Sequence, residues 1–315
     1  MKKPPFSDLL TIPTWGIQTK SNSLKASSLN DYKLTFRLHI LPTLGEAKIR
    51  DMTPADVQEW VDSLSKKKLG PSSINKAYRY LRNCLNNALA KDMLDRSPCR
   101  GVIVPRPPQQ TEFNLLDAGE VQRLLDASEE PERTLSAVLA YAGLRIGEGL
   151  GLKWRDIDFD KMCIRVERAW SKYGGWSTPK TAASRRAVPL SPSLAIVLRD
   201  YRAGRTEVAP ENAVFSHDGI RPLDHSNVRR DFNAALDTAG LRHVTIHSLR
   251  HFYATNMLAC GCSIKALQHA LGHSSATMTL DIYSHHIPES SADAVTRFDA
   301  LMSGQVALLP KRHEL

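Results

Sequence analysis

No apolar run in the 315 residues comes near the ~18–20 that a membrane-spanning helix needs, so an integral helical membrane protein is excluded. The opening Met1-Lys2-Lys3-Pro4-Pro5-Phe6 is basic, but no apolar segment follows it, and it does not read as a secretory signal. Cysteines are few: Cys84, Cys99, Cys163, Cys260 and Cys262 are odd in number and scattered. They make no disulfide framework, and a reduced, cytoplasmic setting is expected. The glycines Gly143, Gly147, Gly149 and Gly151 satisfy neither G-x-G-x-x-G nor G-x-x-x-x-G-K-[ST], so no nucleotide loop is read there. Internal repeats and low-complexity tracts are absent too. What remains is 42% hydrophobic and 24% charged, the balance of a soluble globular protein.

The net charge of +9 is unevenly placed. Residues 1–111 hold 18 of the 42 Lys and Arg against 9 of the 33 Asp and Glu, and residues 112–315 balance at 24 against 24. A small basic unit joined to a larger neutral one suggests a polyanion-binding module attached to a site with another task. Solubility charge is the plainer alternative.

Residues 1–23 are polar and proline-bearing and read as a loose leader. A helical unit is expected over 24–100. Its first helix places Leu29, Tyr32, Phe36 and Ile40 on one face and should stop at Pro42. The second opens at Thr53-Pro54 and buries Val57, Trp60, Val61 and Leu64. The third starts near Ser72, with Ile74, Ala77, Tyr78, Leu81, Leu85 and Ala88 inward. Its outer face shows Asn75, Lys76, Arg79, Arg82, Asn83, Asn86 and Asn87 with no acid among them, a pattern suited to phosphates and base edges. Lys66, Lys67 and Arg185 are further basic candidates for DNA contact.

The proline-rich stretch 101–112 reads as a linker, and 113–290 as a second domain. Asp117 and Glu120 spell a capping box, and a further helix covers about Thr134 to Tyr141. Alternation over Cys163–Trp170 predicts a strand, followed by a turn at Gly174-Gly175 and two short strands, Trp176–Lys180 and Arg186–Leu190. From Ser193 onward the pattern is helical, and 291–315 reads as a final helix and tail. The fold class expected is mostly α with a small antiparallel β-sheet.

Four segments of the larger domain stand out: Gly143-Leu144-Arg145-Ile146-Gly147-Glu148, Lys180 on the hairpin, His247-Ser248-Leu249-Arg250-His251 with Ala254-Thr255, and Leu271-Gly272-His273-Ser274-Ser275 with Tyr283-Ser284-His285 beyond. Taken singly each has an ordinary explanation, such as an i, i+3 ion pair for Arg145 and Glu148. Cys260, Cys262, His269 and His273 also raise a zinc reading, but the C-x-C spacing is unusual for structural zinc and no metal site is expected.

In this order the four segments resemble the tyrosine recombinase (phage integrase) family over nearly the whole chain. The resemblance implies a helical SAM-like core-binding domain ahead of a catalytic domain, the two closing as a clamp on duplex DNA. It makes Tyr283 the nucleophile that forms a 3′-phosphotyrosyl bond, resolved through a Holliday junction. It assigns Arg145, Arg250 and His273 to the phosphate, Lys180 to protonating the leaving oxygen, and His247 to acid–base work. Glu148 is expected to orient the basic cluster from behind. Two arginines suit this chemistry because a guanidinium grips non-bridging oxygens bidentately and stays charged at any pH. No cofactor is implied, since the phosphotyrosyl bond retains the energy for rejoining.

The implied partners are recombination sites in double-stranded DNA and three further copies of the chain in a homo-tetramer. Accessory DNA-bending or directionality factors are compatible with this picture, and a membrane is not part of it. Integration or excision of a prokaryotic or phage-encoded mobile element is the expected role. Type IB topoisomerase-like relaxation and a non-catalytic DNA-binding protein on the same fold are the alternatives. About twenty residues precede the first helix, too few for the arm-binding domain of heterobivalent phage integrases. A simpler recombinase and a shortened larger one both fit.

Overall fold

The computed structural model describes residues 26–106, 114–177 and 185–273. The chain divides into two compact units, residues 1–113 with 170–177 and residues 114–169 with 178–315.

In the first unit, α1 (Ala26–Thr35) runs through a π-helical turn (Phe36–Ile40) into α2 (Leu41–Leu44). The helical path therefore continues past Pro42, against the expectation that this residue ends it. The wide turn supplies the reason. The Leu41 N–H reaches back five residues to the Phe36 carbonyl, and this local reset sets Pro42 at the start of a new helical turn, where a missing N–H costs little. Tyr32, Phe36 and Ile40 stay on the buried side.

Thr53 caps α3 (Pro54–Lys66) through a reciprocal box: the Asp56 N–H donates to Thr53 Oγ1 (3.3 Å) and the Thr53 N–H to Asp56 Oδ2 (2.8 Å). Gly70 precedes α4 (Pro71–Leu89), which buries Ile74, Ala77, Leu81, Cys84, Leu85 and Ala88. Trp60 of α3 is the largest wholly buried side chain among the described residues, and its indole N–H donates to the His39 carbonyl of the π turn (2.7 Å). One residue thus fills the core and satisfies a polar group of the irregular segment.

The second unit begins with α5 (Ala118–Asp126), closed by the expected box between Asp117 and Glu120 at 2.8 and 2.9 Å. Next comes α6 (Glu132–Ala142), buried on nearly every side from Thr134 to Ala142 and packed against α5, α8 (Pro192–Ala203) and α10 (His247–Ala259). A helix apolar all round belongs in the centre of a domain.

After α7 (Ile146–Leu150) comes a small antiparallel sheet ordered β1 (Ile157–Asp158), β2 (Cys163–Val166), β5 (Arg186–Pro189). Ile164 faces Val188 and Val166 faces Arg186 across β2 and β5. The single strand expected over Cys163–Trp170 is two. It breaks at Glu167-Arg168, where Arg168 turns in to form an ion pair with buried Asp156, and it resumes as β3 (Ala169–Ser171). β3 pairs with β4 (Gly175–Ser177) around the glycine turn, with Trp170 and Trp176 packed edge to face at 5.2 Å; residues 170–177 of this hairpin group with the first unit.

The helical pattern expected from Ser193 onward is also interrupted. Between α8 and α9 (His225–Thr238) the chain folds around Asp218, whose Oδ1 accepts from the N–H groups of Ile220 (2.9 Å) and Arg221 (2.8 Å). A side chain that satisfies backbone donors in this way competes directly with helix. α10 and α11 (Ile264–Leu271) complete the described structure, turning at Gly261. The tail helix expected at 291–302 lies outside the described residues.

Trp60→Phe should remove the indole donor and part of the core volume together, costing about 2–4 kcal/mol. Urea denaturation checks this, and a loss below 1 kcal/mol would mean the His39 carbonyl finds another donor.

Candidate active site

The site is built where α6, α7, β5, α10 and α11 meet. α6 ends at Gly143 in the left-handed conformation, φ +63°. A Cβ there would stand 2.3 Å from the Tyr253 ring, so only glycine lets the chain turn this tightly against α10. The turn aims the Gly143 carbonyl at Arg250, whose Nη1 donates to it at 2.7 Å. Two residues on, Arg145 opens α7. Its backbone N–H donates to Glu148 Oε2 and its Nη1 to Glu148 Oε1, both at 2.9 Å.

Glu148 is the centre of the arrangement. It is 5% exposed, and arginines approach it from three elements. Arg186 of β5 donates from Nη1 to Oε1 (3.2 Å) and from Nη2 to Oε2 (2.9 Å), while Arg250 Nη1 lies 4.0 Å from Oε2. Burial pushes the carboxyl toward a higher pKa, but the Arg186 hydrogen bonds and charge, with the Arg145 N–H and charge, outweigh it. Glu148 is held below its ordinary range and stays ionised.

Arg186 was missed by sequence reasoning. The signal was there: alternation places it on the inward face of its strand with Val188, and a charged residue at an inward position asks for a partner.

The arginines also close the end of α11. Gly272 terminates that helix at φ +64°, leaving its last carbonyls without helical donors. Ala270 accepts from Arg186 Nε (2.6 Å), Leu271 from Arg250 Nη2 (2.6 Å) and Arg145 Nη1 (3.3 Å), and Gly272 from Arg145 Nη2 at a long 3.5 Å. Cations at a helix C-terminus also meet the negative end of its dipole.

His273 follows directly and is buried. Burial, then the charges of Arg250, Arg145 and Arg186 and of His247, push its pKa down to about 4. The protein around His247 and the charges of Arg250 and Arg145 lower that imidazole too, although the residue is exposed at the surface. His251, one turn along, stands edge to face with His247 at 4.8 Å and is lowered to about 4, by burial first. A neutral imidazole can accept a proton at one ring nitrogen and donate a hydrogen bond from the other, and the arginines beside it can neutralise an anion.

Arg145, Glu148, His247, Arg250 and His273 are thus gathered in one place. Lys180 and Tyr283 lie outside the described residues. Arg250 is only 2% exposed, whereas the Arg145 side chain is 38% exposed and is the one open to a ligand. On the first unit, Arg79, Arg82, Asn83, Lys66 and Lys67 are exposed, as is Arg185 on the second. Lys76 departs from the free stripe expected of α4: it pairs with Asp31 of α1 at 2.9 Å, and Tyr80 donates to the same carboxylate. Asn75 is likewise turned to backbone, donating to the carbonyls of Pro71 and Pro105. Helical periodicity gave their face correctly but could not show an acid supplied by another helix.

Comparison with known proteins gives the class. The family model described as "Phage integrase family" matches residues 114–290, and "Phage integrase, N-terminal SAM-like domain" matches residues 6–65. The chain is 28% identical to a "Tyrosine recombinase XerC-like" protein of Caldanaerobacter subterraneus subsp. tengcongensis, across 91% of this chain and 81% of that one. It is 28% identical to the integrase of Mycobacterium phage L5, across 82% of this chain and 71% of that one.

Among solved structures, the integrase of transposon Tn1549 with transposon right end DNA superposes with a TM-score of 0.76 at 22% identity, covering 92% of this chain and 100% of that one. A lambda integrase dimer bound to a COC′ core site gives 0.68 at 21% identity, covering 87% and 95%. The chain belongs to the phage integrase family of tyrosine recombinases. Its enzyme class is that of the site-specific recombinases.

Two measurements test this electrostatic picture. Glu148→Gln should destabilise the protein by about 3–5 kcal/mol at neutral pH, because three arginines lose their shared counter-ion. The folded pKa is lowered, so the carboxylate's contribution is full above the ordinary value of 4.5 and fades as acid protonates it through the lower folded value. Denaturant melts should show the gap between wild type and variant shrinking as the pH falls below 4.5, and a gap that does not change with pH would remove Glu148 from the centre of the network. In an NMR titration the His273 imidazole should stay neutral down through pH 5, and protonation near 6.5 would contradict the burial described here.

Proposed function

We propose that this recombinase cleaves and rejoins duplex DNA at a defined site through Tyr283, serving the integration or excision of a mobile element. The observation that carries the reading is the buried Glu148 with Arg145 and Arg250 directed by it, and neutral His273 beside them.

A phosphodiester in that place meets the exposed fork of Arg145 first, and Arg250 adds charge from beneath. Attack by the Tyr283 oxygen forms the tyrosine–phosphorus bond and breaks the bond to the 5′-oxygen. The phenolic proton passes to a base, for which His247 is the candidate, and the departing oxygen takes a proton from Lys180 as a 5′-hydroxyl. Negative charge growing on the non-bridging oxygens is met by the two guanidinium groups and by a hydrogen bond from His273. Reversal with a new 5′-hydroxyl restores the duplex and conserves the bond energy.

The exposed Arg79, Arg82 and Asn83 of α4, with Lys66, Lys67 and Arg185, support backbone contact by charge alone. The working assembly is a homo-tetramer on DNA in the cytoplasm. The tail at 291–315, with its apolar Val306-Ala307-Leu308-Leu309, is the segment proposed to link the protomers, and folding back onto its own domain is the alternative.

Tyr283→Phe should keep DNA affinity and lose the covalent adduct on a nicked duplex, since only the nucleophilic oxygen is removed. A surviving adduct would move the nucleophile elsewhere, and a wild type that traps no DNA would favour a purely binding protein. Relaxation of any supercoiled plasmid without site preference would favour the topoisomerase-like reading.

Replacing Arg79 and Arg82 by Ala should weaken binding and flatten its salt dependence by up to about one slope unit per lost contact. An unchanged slope would make them solvated surface.

A further inference from the structure

We propose that Arg186 is a positioning residue for strand cleavage: from beneath the site it holds Glu148 and the last turn of α11 so that Arg145, Arg250 and His273 converge on one phosphate. The inference rests on the reading of the site given above.

Arg186 cannot be a phosphate ligand itself. Its side chain is 0% exposed, and it lies on the inward face of β5 where its strand neighbour Val188 is wholly buried. Its guanidinium instead ties together two parts of the site that are far apart in the chain. Nη1 and Nη2 take one oxygen each of Glu148, and Nε donates to the Ala270 carbonyl at 2.6 Å. Room for this comes from the next turn, since a Cβ on Gly272 would stand 2.8 Å from Arg186 Nη1.

The consequence for the other arginines is electrostatic. With both oxygens held from below, Glu148 takes one guanidinium nitrogen of Arg145, and Arg250 stays 4.0 Å away, committed to Gly143 and Leu271. Without Arg186 the carboxylate is free to draw Arg250 or Arg145 into a full bidentate pair, and charge meant for DNA is neutralised inside the protein. The same loss frees Ala270, next to the carbonyl that both arginines use and three residues before His273. Lysine cannot substitute, because one ammonium cannot satisfy three acceptors at fork geometry.

The groups facing Glu148 are Arg145 at the start of its own helix, Arg186 from β5, and Arg250 and His247 from α10. His273, after α11, stands in the field of the same arginines.

The test uses the full chain with Arg186→Met, Arg186→Lys, Glu148→Gln, and the charge-balanced double variant Arg186→Met with Glu148→Gln. Two readouts are taken: NMR titration of the Glu148 carboxyl and His273 imidazole without DNA, and the rate of covalent adduct formation on a library of nicked duplexes with a randomised core. Folded Arg186→Met should titrate Glu148 about one unit or more higher than wild type. Its adduct rate should fall at least about tenfold at unchanged DNA affinity, and Arg186→Lys should recover the titration in part but not the rate.

Should Arg186→Met fail to fold, the double variant decides, because it removes one buried positive and one buried negative charge together and leaves the net charge of the cluster as in wild type. Added to Glu148→Gln, the Arg186 change should then slow cleavage less than about twofold further, since both act through one carboxylate. Wild-type rates in any folded one of the three single variants, a loss due wholly to weaker DNA affinity, or fully multiplicative losses would each overturn the proposal. A wild type that forms no adduct would instead refute the recombinase reading of the site, while the titrations still decide whether Arg186 holds Glu148.

Discussion

The second unit depends on one buried carboxylate. Glu148 brings guanidinium groups from the α6–α7 turn, from β5 and from α10 within hydrogen-bond or ion-pair distance of a single point. Glu148, Arg186 and Arg250 are removed from water, where a charge without a partner is costly, while Arg145 stays partly open to solvent. The elements that carry them are therefore fixed relative to one another by electrostatics as well as by the apolar packing of α6. A cluster with more positive than negative charge, facing a neutral histidine, is also what an anionic substrate requires. The same interaction organises the fold and prepares the site.

The helical unit is organised differently. Its core is apolar, and its polar bonds repair local irregularities: Trp60 serves the π turn, Thr53 the start of α3, and Asp31 gathers Lys76 and Tyr80 between α1 and α4. The outward basic residues that remain, Arg79 and Arg82, are exposed. Basic charge on a helix face is thus divided between joining helices and remaining available to a partner.

Much of this was legible in the residues, and what was not has a physical cause in each case. Helix starts at Thr53 and Asp117 were readable because capping is local chemistry. The motif segments named Arg145, Glu148, His247, Arg250 and His273, and the structure brings those five together. Readings failed where an irregular turn or a distant group intervened. Pro42 did not end its helix because a π turn precedes it, Arg168 broke a strand to reach Asp156, and Lys76 found an acid on another helix. Arg186 escaped because it belongs to none of the four segments, although its inward position in an alternating strand marked it as unusual.

Recognition of α11 by its carbonyls has a bearing on how such a chain can diverge. Arg145, Arg186 and Arg250 grip Ala270, Leu271 and Gly272 through main-chain oxygens, which every residue possesses. The grip is blind to side-chain identity along the helix, so outward positions such as Lys265, Ala266 and His269 can drift without disturbing the site. What must persist is only the place where the helix stops and a glycine that leaves space there. An architecture anchored in this way can keep its shape while most of its letters change, and relatives at 28% identity are the natural outcome.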